Sequence, residues 1–190
     1  MATGEIVAFV NSDDMLAPGS LEIVRQAFDD PKVQWVIGDV MLIDGDGRPF
    51  RYLREPFWCQ NWQIHVRNCV PQSSVFWRSD FYRKVPGIDV KLNFHMDMDL
   101  WFQFRKLALP KILRHLLSYQ RQHADTKTSR LQHIQAIETP IVLKRRLGYQ
   151  PKTSAFRRFF WRAHRATVKA LYGAYFIGWL RVRDSERVKF

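Results

Sequence analysis

Residues 5–14 join an apolar, partly β-branched run, Glu5-Ile6-Val7-Ala8-Phe9-Val10, to Asn11-Ser12 and two adjacent carboxylates, Asp13-Asp14. Such a run reads as a buried strand from Glu5 to Val10, and strands covered on both faces belong to open α/β sheets. Ligands of these sheets bind outside the carboxyl ends of the strands. Asp13 and Asp14 therefore stand where carboxylates can hold a hard divalent cation against a phosphorylated ligand. An Asx-type turn between strand and helix explains the same four polar residues without a ligand, so the segment alone leaves both readings open.

Downstream, the chain alternates strand and helix patterns. Pro18 to Phe28 predicts a helix with proline in its first turn and Leu21, Val24 and Phe28 on one face. Val33 to Ile43 predicts a strand closed by Asp44-Gly45-Asp46-Gly47, and Arg48 to Leu53 an antiparallel return. Asn61 to Arg67 reads as a short helix, Ser73 to Trp77 as a short strand and Ser79 to Lys84 as one or two helical turns. Leu100, Trp101, Phe104 and Leu107 give Asp97 to Leu107 helical spacing, with Trp101 directed to the core. Ile112 to Gln120 is the next strand, and Leu131 to Leu147 a long helix that Pro140 is expected to kink or break. The pattern predicts a mixed α/β domain.

Composition separates this domain from the C-terminal segment. The 190 residues are 46% hydrophobic and 14% aromatic, which excludes wholesale disorder and supports one domain with a real core. Of 30 Lys and Arg, 13 lie at residue 144 or later, with only 2 of the 18 Asp and Glu; that segment carries +11 of the net +12. We therefore expect a balanced domain over 1–143 and a basic, helical tail over 144–190. Cys59 and Cys69 lack the spacing and number of a structural zinc site and read as reduced thiols. No apolar leader with a positive start opens the sequence, which makes a cytoplasmic location the default expectation.

Two further groups carry candidate chemistry. Asp97 and Asp99, in His95-Met96-Asp97-Met98-Asp99-Leu100-Trp101, stand where a helix begins. Carboxylates there are favoured by the helix dipole and held rigidly, which suits a general base as well as a cap. His123 comes after the strand ending near Gln120 and precedes Asp125, Thr126, Lys127, Thr128 and Ser129. It suits a diphosphate or a metal shell, and equally a plain loop.

In order along the chain, Gly4 to Asp14, Pro18-Gly19-Ser20-Leu21, Gly38-Asp39, Pro71-Gln72-Ser73, Met96 to Trp101 and His123 resemble glycosyltransferase family 2, with the GT-A fold. The resemblance covers about residues 3 to 130. It implies an inverting transfer of sugar from a nucleotide-diphosphate donor to a hydroxyl acceptor, in cell-surface polysaccharide or glycolipid synthesis. By it Asn11, Asp13 and Asp14 bind donor, Asp14 is the direct ligand of Mn²⁺ or Mg²⁺, and His123 approaches the metal or diphosphate. Asp97 is the base, and Gln72, Ser73 and Asp99 lie near a saccharide or lipid-linked acceptor. Met96 stands where the family usually has Glu. Set against the family, the chain starts in the middle of the nucleotide-binding half, about two β-α units of about 30 residues in. The expected fold is a truncated GT-A-like mixed sheet flanked by helices, in which strand 5–10 lacks its parallel neighbours and shows an apolar edge.

The tail has its own reading. Phe156 to Arg162 and Ala166 to Val182 interleave aromatic and basic side chains, while Lys169 and the short length argue against a membrane span. An interfacial helix over 156–182, peripheral on an anionic membrane, and a helix packed on the domain with a solvated basic face both fit. Three other functions compete with the transferase: an inactive remnant whose tail binds membrane, a metal-dependent hydrolase of nucleotide sugars, and a nucleic-acid-binding module. The last is disfavoured because the charge is confined to the tail and no recognised binding motif is present.

Overall fold

The computed structural model describes residues 2–54, 70–123 and 131–147, together with the isolated positions 163, 166, 167 and 170. The helix expected over 61–67, Cys59, Cys69 and the tail aromatics lie outside the described residues.

One mixed six-stranded sheet organises these residues. Its strands are β1 (Ile6–Ala8), β2 (Met15–Leu16), β3 (Trp35–Ile43), β4 (Pro49–Leu53), β5 (Val75–Arg78) and β6 (Lys111–Arg121). The order is β1-β5-β3-β6-β2, and β4 continues along the edge of β3 that β5 occupies at its start. Only β3 and β6 run parallel. Helix α1 (Ser20–Ala27) covers one face; α2 (Ser79–Tyr82), α3 (Met96–Leu107) and α4 (Gln132–Leu147) belong to the other.

Alternation along β3 supplies both layers. Trp35 and Ile37 point to the α3 side and Val36 to the α1 side, so each face receives its own core. On the first face Trp35 stacks on Trp101 with ring centres 6.0 Å apart, and Trp77 meets Trp101 edge-on at 5.8 Å. Trp101 is therefore a core residue, 1% exposed. Burying a large apolar side chain contributes about 1.5–3 kcal/mol, so this cluster is the main anchor of α3. On the second face Val24, Ala27 and Phe28 pack against Val36, Phe76, Leu113 and Leu117. Gly38 lies beneath Leu117, where a Cβ would come within 2.3 Å of Leu117 Cγ. Leu117 is fully buried, so a methyl group there would have to displace packed core.

The predicted elements differ from the observed ones in instructive places. The strand expected over 5–10 is three residues long and pairs antiparallel with β5 through Ile6–Arg78, Val7–Trp77 and Ala8–Phe76. Its other edge carries no strand among the described residues, and its side chains are half-buried or exposed. Burial needs neighbours on both sides, and the run has them on one. Leu21 is 62% exposed rather than part of the helix face, because α1 starts at Ser20 and turns Ser20, Val24 and Ala27 inward. Strand β2, two residues long, is too short to give a period in the sequence. The Asp44-Gly-Asp-Gly turn does link β3 to β4, with Asp44 Oδ1 accepting the Asp46 and Arg48 N–H groups. Pro140 lies inside α4 without ending it.

Candidate active site

The loop after β1 and the end of β6 are brought together. Asp14 turns inward: Oδ1 accepts the Arg121 N–H at 3.0 Å and Oδ2 the Asn11 side-chain amide at 3.0 Å. Burial raises the carboxyl above its ordinary range despite these two bonds. The Arg121 side chain completes the bracket, its Nε donating to the Asp13 carbonyl and Nη1 to those of Asp44 and Gly45. One arginine thus ties three chain segments together at the strand ends. The Gln122 N–H adds a bond to the Ile43 carbonyl at 2.8 Å.

This arrangement leaves Asp13, not Asp14, beside the imidazole. Asp13 Oδ2 and His123 Nε2 are 3.7 Å apart and both side chains are well exposed. Both Asp14 oxygens accept hydrogen bonds from the loop and the group is buried, so Asp13 is the more exposed of the two carboxylates. Among the described residues no three His, Cys, Asp or Glu side chains converge on one point. A carboxylate and an imidazole still suit Mg²⁺ or Mn²⁺, which commonly take one or two protein ligands and complete their shell with water and substrate phosphate. The donor set fits such an ion in that partial sense.

A second group is built on α3. The Trp35 indole donates to the Ala108 carbonyl at 3.0 Å, which fixes the end of the helix at the start of β3. The first turn, carrying Asp97, points away from that contact along a 12-residue helix, a length of about 18 Å. Asp97 is half-buried, and its Oδ1 accepts the Met98 N–H at 2.7 Å. Asp99, one of the expected acceptor contacts, is fully buried; it binds Arg146 Nε at 2.7 Å and takes the Gln103 amide at 2.9 Å. It joins α3 to α4.

Gln72 and Ser73 fall in a short 3₁₀ turn, Gln72–Ser74, that precedes β5. Ser73 is buried, and its hydroxyl lies 2.8 Å from that of Ser118. Ser74 bridges Ser118 and the Asp39 carbonyl. Ser73, Ser74 and Ser118 thus form a hydroxyl chain that supports β3 and β6, and Gln72 beside it is half-buried. Asp39 itself is fully buried and binds the Tyr52 hydroxyl and Arg54 Nε, both at 2.8 Å. Burial and this bond to Asp39 push the Tyr52 phenol up to about 12.

Sequence reasoning missed Arg121 and Glu138. Glu138 is buried on α4 and accepts the backbone N–H groups of Asn93, Phe94 and His95. Burial would raise its carboxyl, but these bonds and nearby His95 hold it below the ordinary carboxylate value. Neither residue sits in a motif. A charge on a helix or at a strand end gives no signal of the distant backbone it will meet.

The profile described as Glycosyl transferase family 2 matches residues 1–113, more than half the chain, and the protein belongs to that family. It is similar to "Uncharacterized protein MT1568" of Mycobacterium tuberculosis (strain CDC 1551 / Oshkosh), 26% identical over an alignment of 148 residues that covers 69% of this chain and 46% of that one. Among solved structures it is similar to S. aureus TarS, with a TM-score of 0.48, 14% identity, and coverage of 82% of this chain and 30% of the other. A structure of TarS residues 1–349 in complex with UDP gives a TM-score of 0.48 and 14% identity, covering 84% and 54%. The chain spans about half the length, or less, of these proteins. The family generally uses divalent metals.

Proposed function

We propose that this chain transfers a sugar from a nucleoside-diphosphate donor to a hydroxyl acceptor, a saccharide or lipid-linked glycan of cell-surface polysaccharide or glycolipid synthesis. The reading rests on one observation above all: in a member of this family, Asp13 and His123 meet at 3.7 Å beyond the ends of β1 and β6. Asp13 and His123 would hold Mn²⁺ or Mg²⁺, and such an ion neutralises charge on a departing diphosphate. Asn11, Asp14 and Arg121 fix the loop that presents Asp13. Asp97 takes the proton of the acceptor hydroxyl as its oxygen bonds to the anomeric carbon. The anomeric C–O bond to the diphosphate breaks with its electron pair on the leaving oxygen, giving single displacement with inversion. Gln72, Ser73 and Asp99 are the candidate contacts for the acceptor, and Gln72 is the least buried of them.

The metal assignment is tested by titrating the chain with pyrophosphate, which needs no pocket for a base, with and without Mn²⁺. Asp13→Asn should lower the Mn²⁺-dependent affinity at least about tenfold, a loss of about 1.4 kcal/mol. Equal affinity in wild type and variant would remove Asp13 from the site. Product analysis with and without acceptor separates transfer from hydrolysis. For a lipid-linked acceptor, residues 156–182 would supply the membrane contact. The full chain should then sediment with anionic phosphatidylglycerol vesicles and not with neutral ones, whereas equal binding to both would exclude that role.

A further inference from the structure

Helix α4 grips the segment that delivers Asp97 at several points. Glu138 accepts three successive backbone N–H groups, from Asn93 at 2.7 Å and from Phe94 and His95 at 2.9 Å. One residue further along α4, Thr139 Oγ1 lies 2.8 Å from His95 Nε2. Two turns on, Arg146 binds both oxygens of Asp99, and Arg145 binds Asp89 at 2.7 Å. Asp97 lies between the two main grips, two residues after His95 and two before Asp99.

The chemistry of the Glu138 contact explains why a carboxylate stands there. Helix α3 has no side-chain cap of its own: His95 occupies the cap position, and its ring turns to Thr139. Three N–H groups converge just before the helix, at the end whose dipole favours negative charge. A buried, ionised carboxylate from α4 satisfies all three. A neutral side chain of the same shape could accept only at its carbonyl oxygen, and its amide would face a backbone donor.

We propose that Glu138 is a positioning residue for Asp97, fixing residues 93–95 so that the carboxylate two positions on is held in one place relative to the acceptor hydroxyl. The proposal rests on the reading of Asp97 as the base and extends it beyond residue 113, where the family match stops. General-base transfer depends steeply on placement, and an error of about 1 Å can cost about a hundredfold in rate. An anchored loop is therefore worth more to this reaction than its contribution to stability.

The test compares the full chain with Glu138→Gln and Glu138→Asp, using a panel of UDP-, GDP- and dTDP-sugars with Mn²⁺ and a mixture of simple alkyl glycosides as hydroxyl acceptors for turnover. Backbone amide hydrogen exchange supplies the second readout. Glu138→Gln should lower kcat about 10- to 100-fold with the donor KM changed by no more than about twofold. Exchange at Asn93, Phe94 and His95 should quicken by more than about tenfold while the amides of β3 and β6 keep their protection. Glu138→Asp retains the charge and should recover part of both effects. Wild-type kcat in Glu138→Gln would overturn the proposal, as would a fall in kcat accompanied by loss of protection throughout the sheet, which marks a merely structural role. A wild-type chain that turns over none of these donors would remove the transferase reading instead. Exchange would still decide whether Glu138 holds the turn.

Discussion

Asp97→Asn is expected to leave the chain folded and able to bind pyrophosphate with Mn²⁺ while lowering kcat by about 10²–10⁴, the usual contribution of a general base. The substitution keeps an oxygen for the Met98 N–H, which Asp97 Oδ1 accepts at 2.7 Å, so the first turn of α3 should persist. What it removes is the ability to take a proton. A hydroxyl is a poor nucleophile until a carboxylate accepts its proton, and nothing else in the displacement replaces that step. The donor KM should change little, because the base proposed here acts on the acceptor hydroxyl. Turnover of Asp97→Asn at the wild-type rate would place the base elsewhere.

The largest stability effect is expected at Asp99. Its side chain is fully buried and paired with Arg146, whose own side chain is 15% exposed. Asp99→Ala strands that guanidinium in the protein interior and leaves the Gln103 amide without one of its two partners. Removing one member of a buried pair costs about 3–5 kcal/mol, far more than breaking an exposed pair such as Glu22–Arg25, which solvent screens. Urea denaturation should show that loss, and Asp99→Leu combined with Arg146→Met should recover much of it. A loss below about 1 kcal/mol in Asp99→Ala would mean that the pair does not hold α3 to α4. Turnover should fall as well, since the same helix contact steadies the turn that carries Asp97.

The contrast between Asp97 and Asp99 marks where local pattern is informative and where it stops. Spacing placed both at a helix start, and the structure has them there, in the first turn of α3. Which of the two faces outward was not legible. That depends on Arg146, 47 residues away, which arrives only when α4 packs. The burial of Ser73 has the same kind of cause, since its hydroxyl meets that of Ser118, 45 residues on. Asp13 and Asp14 repeat the pattern. Two neighbouring carboxylates look equivalent in a sequence, and the Arg121 N–H decides which one turns inward.

The sequence by itself determined the order and type of most elements, the turn at Asp44 to Gly47, the core role of Trp101, and the motif series that marks the family. These depend on periodicity and on the preferences of single residues, which act over a few positions. Only the tertiary structure decided that β1 pairs antiparallel with β5, that Asp13 rather than Asp14 meets His123, and that Glu138 holds the loop before Asp97. Strand pairing and ion pairing join groups far apart in the chain. Their energies arise from desolvation and from hydrogen bonds to a particular distant partner, and no local pattern carries that information.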